Sequence, residues 1–197
     1  MGSISDSIGE TYRSAMFNNA AFCEGCEQVC CRAPYVQMFA TKEIVKLDLP
    51  LDVKKKKFAY SEELTPVQPF GVIQSKTCGV FLAASQNDGS CAFLQNKRCE
   101  IYENRGLDCR IFPYFFEYNA LSEELIFYLD SEAPCISRLT EGEIQKDLPE
   151  VMEYVGKEIK HWSLVEVLAY SRVKPNARSG HPRELGRMAY KFPPKAY

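Results

Sequence analysis

The sequence predicts an α+β protein: a small cysteine-rich, metal-stapled domain with short β-hairpins and flanking helices. Three observations lead there. Nine cysteines stand among 197 residues, and four fall within nine positions, Cys23, Cys26, Cys30 and Cys31. Short apolar runs separated by turn residues occupy the middle of the chain. Helical periodicity takes over in the last third.

From the N-terminus, Ile4, Ile8, Tyr12 and Met16 recur every four residues, which predicts a short amphipathic helix over Ser3–Met16. The cysteine motif follows. Thr41 then caps a helix through Ile44, Val45 and Leu47, with Glu43 in its first turn and Pro50 as its stop. Residues 52–69 read as a polar surface excursion carrying Lys54, Lys55, Lys56 and Lys57, a solvated run too short for a binding stripe.

Strands come next. The runs Cys78–Ala83 and Cys91–Leu94 flank Asn87-Asp88-Gly89, a hairpin turn signal. Asn96-Lys97 turns the chain into Cys99–Tyr102. The aromatic run Ile111–Tyr118, the turn Asn119-Ala120 and Leu125–Leu129 predict a further hairpin. Asp147 and Glu150 frame a helix start with Pro149 in the first turn, and Val151, Met152, Val155, Ile159 and Trp162 share one stripe. Ser163 and Glu166 have capping-box spacing for a last helix through Leu168 and Val173. Residues 1–173 are thus expected to form one cysteine-rich domain with a helical C-terminal part. Residues 174–197 are expected to be a basic, proline-containing, poorly packed tail.

Composition narrows the function. A hydrophobic fraction of 46% suffices for a core, and a net charge of −2 gives no field to steer the protein onto nucleic acid or an anionic membrane. The N-terminal residues Met1–Asp6 lack an apolar leader core, and Asp6 stands where myristoylation needs Ser or Thr. No apolar run reaches the ~18 residues of a membrane span. The expected location is cytoplasmic, where clustered cysteines point to metal rather than disulfides. An odd count of thiols agrees.

The cysteine spacing carries most of the chemistry. On a helix, Cys26 falls about 60° and Cys30 about 20° from Cys23, but Cys31 lies about 100° from Cys30. In an extended segment the adjacent pair points to opposite faces. Cys30 and Cys31 therefore do not aim easily at one ion. They suit two neighbouring centres, or separate irons of one cluster, and the site is not a simple four-cysteine zinc finger. Cys91, Cys99, Cys109 and Cys135 supply the distant thiolates, so that metal binding closes long loops and contributes folding energy. Tetrathiolate ligation suits an iron–sulfur cluster or Zn2+, with the cluster preferred. Cys78, at the head of an apolar run, reads as a buried thiol, although it could replace Cys135 as a ligand; His161 and His181 read as surface residues. Arg105 and Arg110 flank Cys109 and serve either a cofactor-binding role, donating to cluster sulfurs or an anion, or an ion pair with Glu100, Glu103 or Asp108.

These residues, taken in order, resemble a known family. Phe22-Cys23, Cys26, Cys30-Cys31, then Thr41, Glu43 and Ile44, then Cys91–Leu94, then Cys99–Tyr102, then Arg105 and Cys109–Pro113 are similar to the CxxCxxxCC, YkgJ-like zinc- or iron-chelating proteins over roughly residues 22–135. The resemblance implies a small cysteine-rich chelating domain. The family places Arg-Pro ahead of the Cys-Arg-x-Phe-Pro segment, whereas Gly106 follows Arg105 here; this bears on the local turn and not on the ligand set. Flagellin lysine methylases share the cysteine pattern and are associated with an iron–sulfur cluster, which implies an alternative: an enzyme modifying a protein substrate. No glycine-rich nucleotide loop, Ser-His-Asp set or radical-enzyme Cys-x3-Cys-x2-Cys spacing is present to support catalysis. The expected partner is a protein substrate or a redox partner.

Overall fold

The computed structural model describes residues 31, 38–40, 43, 46–48, 80–82, 90–96, 98–176 and 182–192. The helix expected over Ser3–Met16, the lysine excursion, the Asn87–Gly89 turn, His181 and four of the cysteines (Cys23, Cys26, Cys30 and Cys78) lie outside them.

An antiparallel three-stranded sheet forms the centre. Strands β5 (Tyr114–Asn119) and β6 (Glu124–Leu129) make the hairpin predicted from the aromatic run, in register from Tyr114↔Leu129 to Asn119↔Glu124. Its turn passes through Glu123 at φ 52°, and the Asn119 side chain accepts from the Leu121 and Ser122 amides. Alternation sends Tyr114, Phe116, Tyr118, Leu125, Phe127 and Leu129 to one face, where helices cover them.

Those helices are α2 (Glu141–Glu158) and α3 (Leu164–Asn176). Helix α2 is capped seven residues before the expected start, at Thr140 rather than Asp147. Thr140 and Glu143 form a reciprocal capping box, Thr140 N–H donating to Glu143 Oε2 at 2.8 Å and Glu143 N–H to Thr140 Oγ1 at 3.3 Å. Asp147 is consequently a buried mid-helix residue rather than a cap. Pro149 sits in the helix interior, not in its first turn. Its missing N–H deprives the Gln145 carbonyl of a helical donor. Both residues are exposed, so water can serve there, while Ile144, Leu148, Val151, Val155 and Ile159 bury the opposite side. Helix α3 starts at the predicted box: Ser163 N–H donates to Glu166 Oε2 at 2.5 Å and Glu166 N–H to Ser163 Oγ at 3.2 Å. Tyr170, fully buried, stacks on Phe116 with centroids 4.6 Å apart and meets Trp162 edge-on at 5.8 Å.

The poorly packed segment expected after Lys174 is corrected at Arg183–Ala189. These residues form strand β7, the third strand of the sheet, paired with β6 from Glu124↔Ala189 to Leu129↔Arg183 across a bulge at Phe127/Tyr128. Pro182, one of the prolines behind that expectation, precedes the strand instead of interrupting it. Within it Leu185 and Met188 pack against the core, and Arg183 pairs with Glu141 at 2.7 Å.

A second correction concerns the hairpin expected between Cys78–Ala83 and Cys91–Leu94. Strand β2 (Val80–Leu82) pairs instead with β1 (Met38–Ala40), antiparallel, with Phe39 opposite Phe81. A further long-range contact joins the N-terminal motif to the second cysteine set: Cys91 N–H donates to the Cys31 carbonyl at 2.6 Å. The other small hairpin, β3 (Leu94–Gln95) with β4 (Arg98–Cys99), matches the Asn96-Lys97 turn signal, and Asn96 takes the left-handed conformation at φ 48° that asparagine tolerates.

Two cores result among the described residues. Sixteen buried side chains form the main one, between sheet and helices; Leu47, Phe93 and Ile101 form a small one, against which Cys91, Cys99 and Cys109 pack. At about 2 kcal/mol per buried large apolar side chain, the main core dominates stability and the small one is marginal. Helix α1 (Leu107–Ile111) joins them: Leu107 and Ile111 belong to the main core, Cys109 to the small one.

Candidate metal centre

The described thiols of the cysteine pattern divide between the two cores. Cys91 opens the segment leading to β3, and its carbonyl accepts from Leu94 N–H at 2.8 Å, closing a tight turn. Cys99 ends β4 opposite Leu94. Cys109 lies in α1. Cys31 joins them through its bond to Cys91. Cys109 is close enough to Cys91, Cys31 and Cys99 for each to act on it electrostatically, and Cys99 senses Cys31 in the same way. Four thiols from three distant stretches thus share one neighbourhood. Cys135, on a 3-10 turn at Pro134–Arg138, packs against the main core instead, where it influences the Tyr114 hydroxyl.

The electrostatics of the group favour a cation. Burial, then the Asp108 carboxylate, then the neighbouring Cys91, Cys31 and Cys99 all push the Cys109 thiol well above its usual value. Burial also raises Cys99; the Ile101 N–H, which donates to its sulfur, and the Arg105 guanidinium pull the other way. Four thiolates crowded together repel one another, and a metal ion removes that penalty by taking the place of the protons. An N–H directed at a sulfur supports thiolate charge. The donor set therefore fits zinc or iron. The group is looser than a finished coordination sphere: no set of three or more His, Cys, Asp or Glu side chains able to hold a metal ion is assembled among the described residues. The motif's other three thiols, Cys23, Cys26 and Cys30, lie outside those residues.

The two arginines brace backbone. Arg105 Nε donates to the Tyr102 carbonyl at 2.9 Å, and its guanidinium lies 3.8 Å over the Tyr102 ring. Arg110 Nε donates to the Arg105 carbonyl at 3.0 Å, and its Nη2 donates to the Glu103 carbonyl. They stiffen the 102–105 turn that delivers α1. Of the expected carboxylate partners, Glu103 enters through its carbonyl, and Arg105 additionally places positive charge near Cys99. His161 is exposed on a 3-10 turn.

Three features escaped the sequence. Glu43, read as a first-turn helix acid, places Oε1 2.5 Å from the Leu107 N–H and so caps α1 across 64 positions. Asp108 is fully buried and accepts from Tyr170 Oη at 2.8 Å. Tyr114 Oη is buried without a hydrogen bond of standard geometry; burial and the nearby Asp147 carboxylate hold it in its protonated form. From sequence alone, Asp108 reads only as an ion-pair partner of Arg105 or Arg110.

The fold defines a class, an α+β domain with a group of cysteines packed against its smaller core. The chain belongs to the CxxCxxCC family, described as a "Putative zinc- or iron-chelating domain", whose family model matches residues 22–135, more than half of its length. The match ends at Cys135, so α2, α3 and β7 lie beyond it. The second gap in this chain's motif, Cys26 to Cys30, is one residue longer than the family's name spells. No match was found among curated proteins or solved structures. No helix among the described residues is long and apolar enough to cross a membrane.

Proposed function

We propose that Cys31, Cys91, Cys99 and Cys109, with the motif thiols Cys23, Cys26 and Cys30, hold an iron–sulfur cluster, with Zn2+ as the second choice, in a structural, redox or metal-handling role in the reducing cytosol. The observation that carries this reading is the packing of Cys91, Cys99 and Cys109 against one small core, with Cys31 joined to Cys91 through its carbonyl. The vicinal Cys30-Cys31 pair favours a cluster over a single ion, because adjacent side chains serve two metal atoms more readily than one. Such a centre staples the N-terminal motif to the β3–β4 hairpin and α1, a region where only three buried side chains form the apolar core among the described residues. Cys135, set against the main core, is the expected ligand that this grouping does not include.

The test is anaerobic purification followed by visible spectroscopy with iron, sulfide and zinc analysis. Broad absorbance at about 400 nm with iron and sulfide is the expected result. A colourless protein with zinc would replace the cluster by thiolate zinc sites. Metal-free protein would end the proposal.

A further inference from the structure

Helix α1 has five residues, too few to hold a helix unaided. Its placement is imposed from outside. Leu107 and Ile111 anchor one side in the main core, and Glu43 caps the Leu107 N–H. The third restraint is a side-chain bond deep in the protein: Tyr170 Oη donates to Asp108 Oδ1 at 2.8 Å, with both residues fully buried. Asp108 immediately precedes Cys109. Tyr170 is fixed independently of the thiols, by its stack on Phe116 and its edge contact with Trp162. It also lies on α3, beyond the segment that the family model matches.

We infer that Tyr170 is a positioning residue for the metal centre: by holding the Asp108 carboxylate toward α3, it fixes how α1 presents the Cys109 sulfur, and so makes metal retention depend on the C-terminal core. The inference rests on the centre proposed above. Groups one shell out from metal ligands orient them, and their loss typically weakens metal binding about ten- to hundredfold. The bond spans two elements, which distinguishes it from ordinary packing of α1.

Tyr170→Phe keeps the ring and its two aromatic contacts and removes only the hydroxyl. In protein isolated anaerobically with its native metal, Y170F should release that metal to excess chelator about ten- to hundredfold faster than wild type. In Co2+-loaded protein, the sulfur-to-cobalt charge-transfer absorption of Y170F should shift, a readout that general loss of stability would not move in the molecules still holding cobalt. Asp108→Ala removes the acceptor and so breaks the same link from the other side, and the double variant should be no worse than the more affected single one. If Y170F fails to fold, D108A carries the same two measurements. Release at the wild-type rate with an unshifted cobalt spectrum overturns the inference alone, provided wild type holds metal and Cys109→Ser does not. Wild-type protein that holds no metal overturns the inference together with the proposed centre.

Discussion

The Cys91 amide donates to the Cys31 carbonyl at 2.6 Å, so the last residue of the N-terminal motif is bound to the first residue of the second cysteine set. This backbone tie joins the two cysteine sets. The proposed donor set predicts unequal consequences for cysteine substitutions. Cys30→Ser and Cys109→Ser should abolish metal binding, as read by elemental analysis, and unfold at a lower midpoint than metal-loaded wild type. Cys78→Ser should retain full metal. A reversal of these outcomes would mean that the donor set is misassigned.

Metal removal should act on one part of the molecule more than the other. Sixteen buried side chains support the sheet and its helices, whereas Leu47, Phe93 and Ile101 alone support the cysteine group among the described residues. Local opening free energies follow such differences in burial. After chelation, hydrogen exchange should accelerate at Cys91, Leu94 and Glu100, while Phe116, Phe127, Val151 and Val155 keep their protection. Simultaneous loss of protection in both sets would show that the metal stabilises the whole fold.

Most local features of the structure were legible in the sequence; the Thr140–Glu143 capping box was the exception. The β5–β6 hairpin, the Asn96 turn and the Ser163–Glu166 box each depend on residues within a few positions of one another. The rest of what could not be read depends on distance along the chain. The partner of β2 is β1, about forty positions earlier, not the nearer run beyond the turn residues. Strand β7 is stabilised by β6, which lies more than fifty positions earlier, so its prolines and charges suggested a tail. At the candidate site the thiols announced themselves by spacing. The groups that orient α1, Glu43 and Tyr170, carry no such pattern, because a single carboxylate or phenol acquires its role only through the fold.

Glu117 offers a pH test of the sheet's second face. It alternates with the core residues of β5, and burial raises its carboxyl above the ordinary 4.5, an effect that the Tyr128 hydroxyl only partly offsets. Because the folded-state value lies above the unfolded one, the native state binds the proton more tightly. The stability contribution is complete below the unfolded value and is lost as pH rises through the folded value. Glu117→Gln keeps an acceptor for Tyr128 and stays neutral. Its melting temperature should exceed that of wild type at about pH 7, and the difference should close at about pH 4. A gap independent of pH would assign the effect to packing.

The start of α2 can be tested directly, because sequence and structure place it differently. If the helix began near Asp147, Thr140 would be a loop residue and its loss would cost little. In the structure Thr140 and Glu143 satisfy each other's backbone N–H groups, and the first turn is further tied to β7 by the Glu141–Arg183 pair at 2.7 Å. Thr140→Ala removes the Oγ1 acceptor and should destabilise the protein by about 1 kcal/mol. Urea unfolding should show a lower midpoint with an unchanged slope, since the surface exposed on unfolding stays the same. Thr140→Ser, which restores the acceptor, should recover most of the loss. If Thr140→Ala leaves the midpoint where it was, the cap is not formed in solution and the first turn of α2 is held by β7 alone.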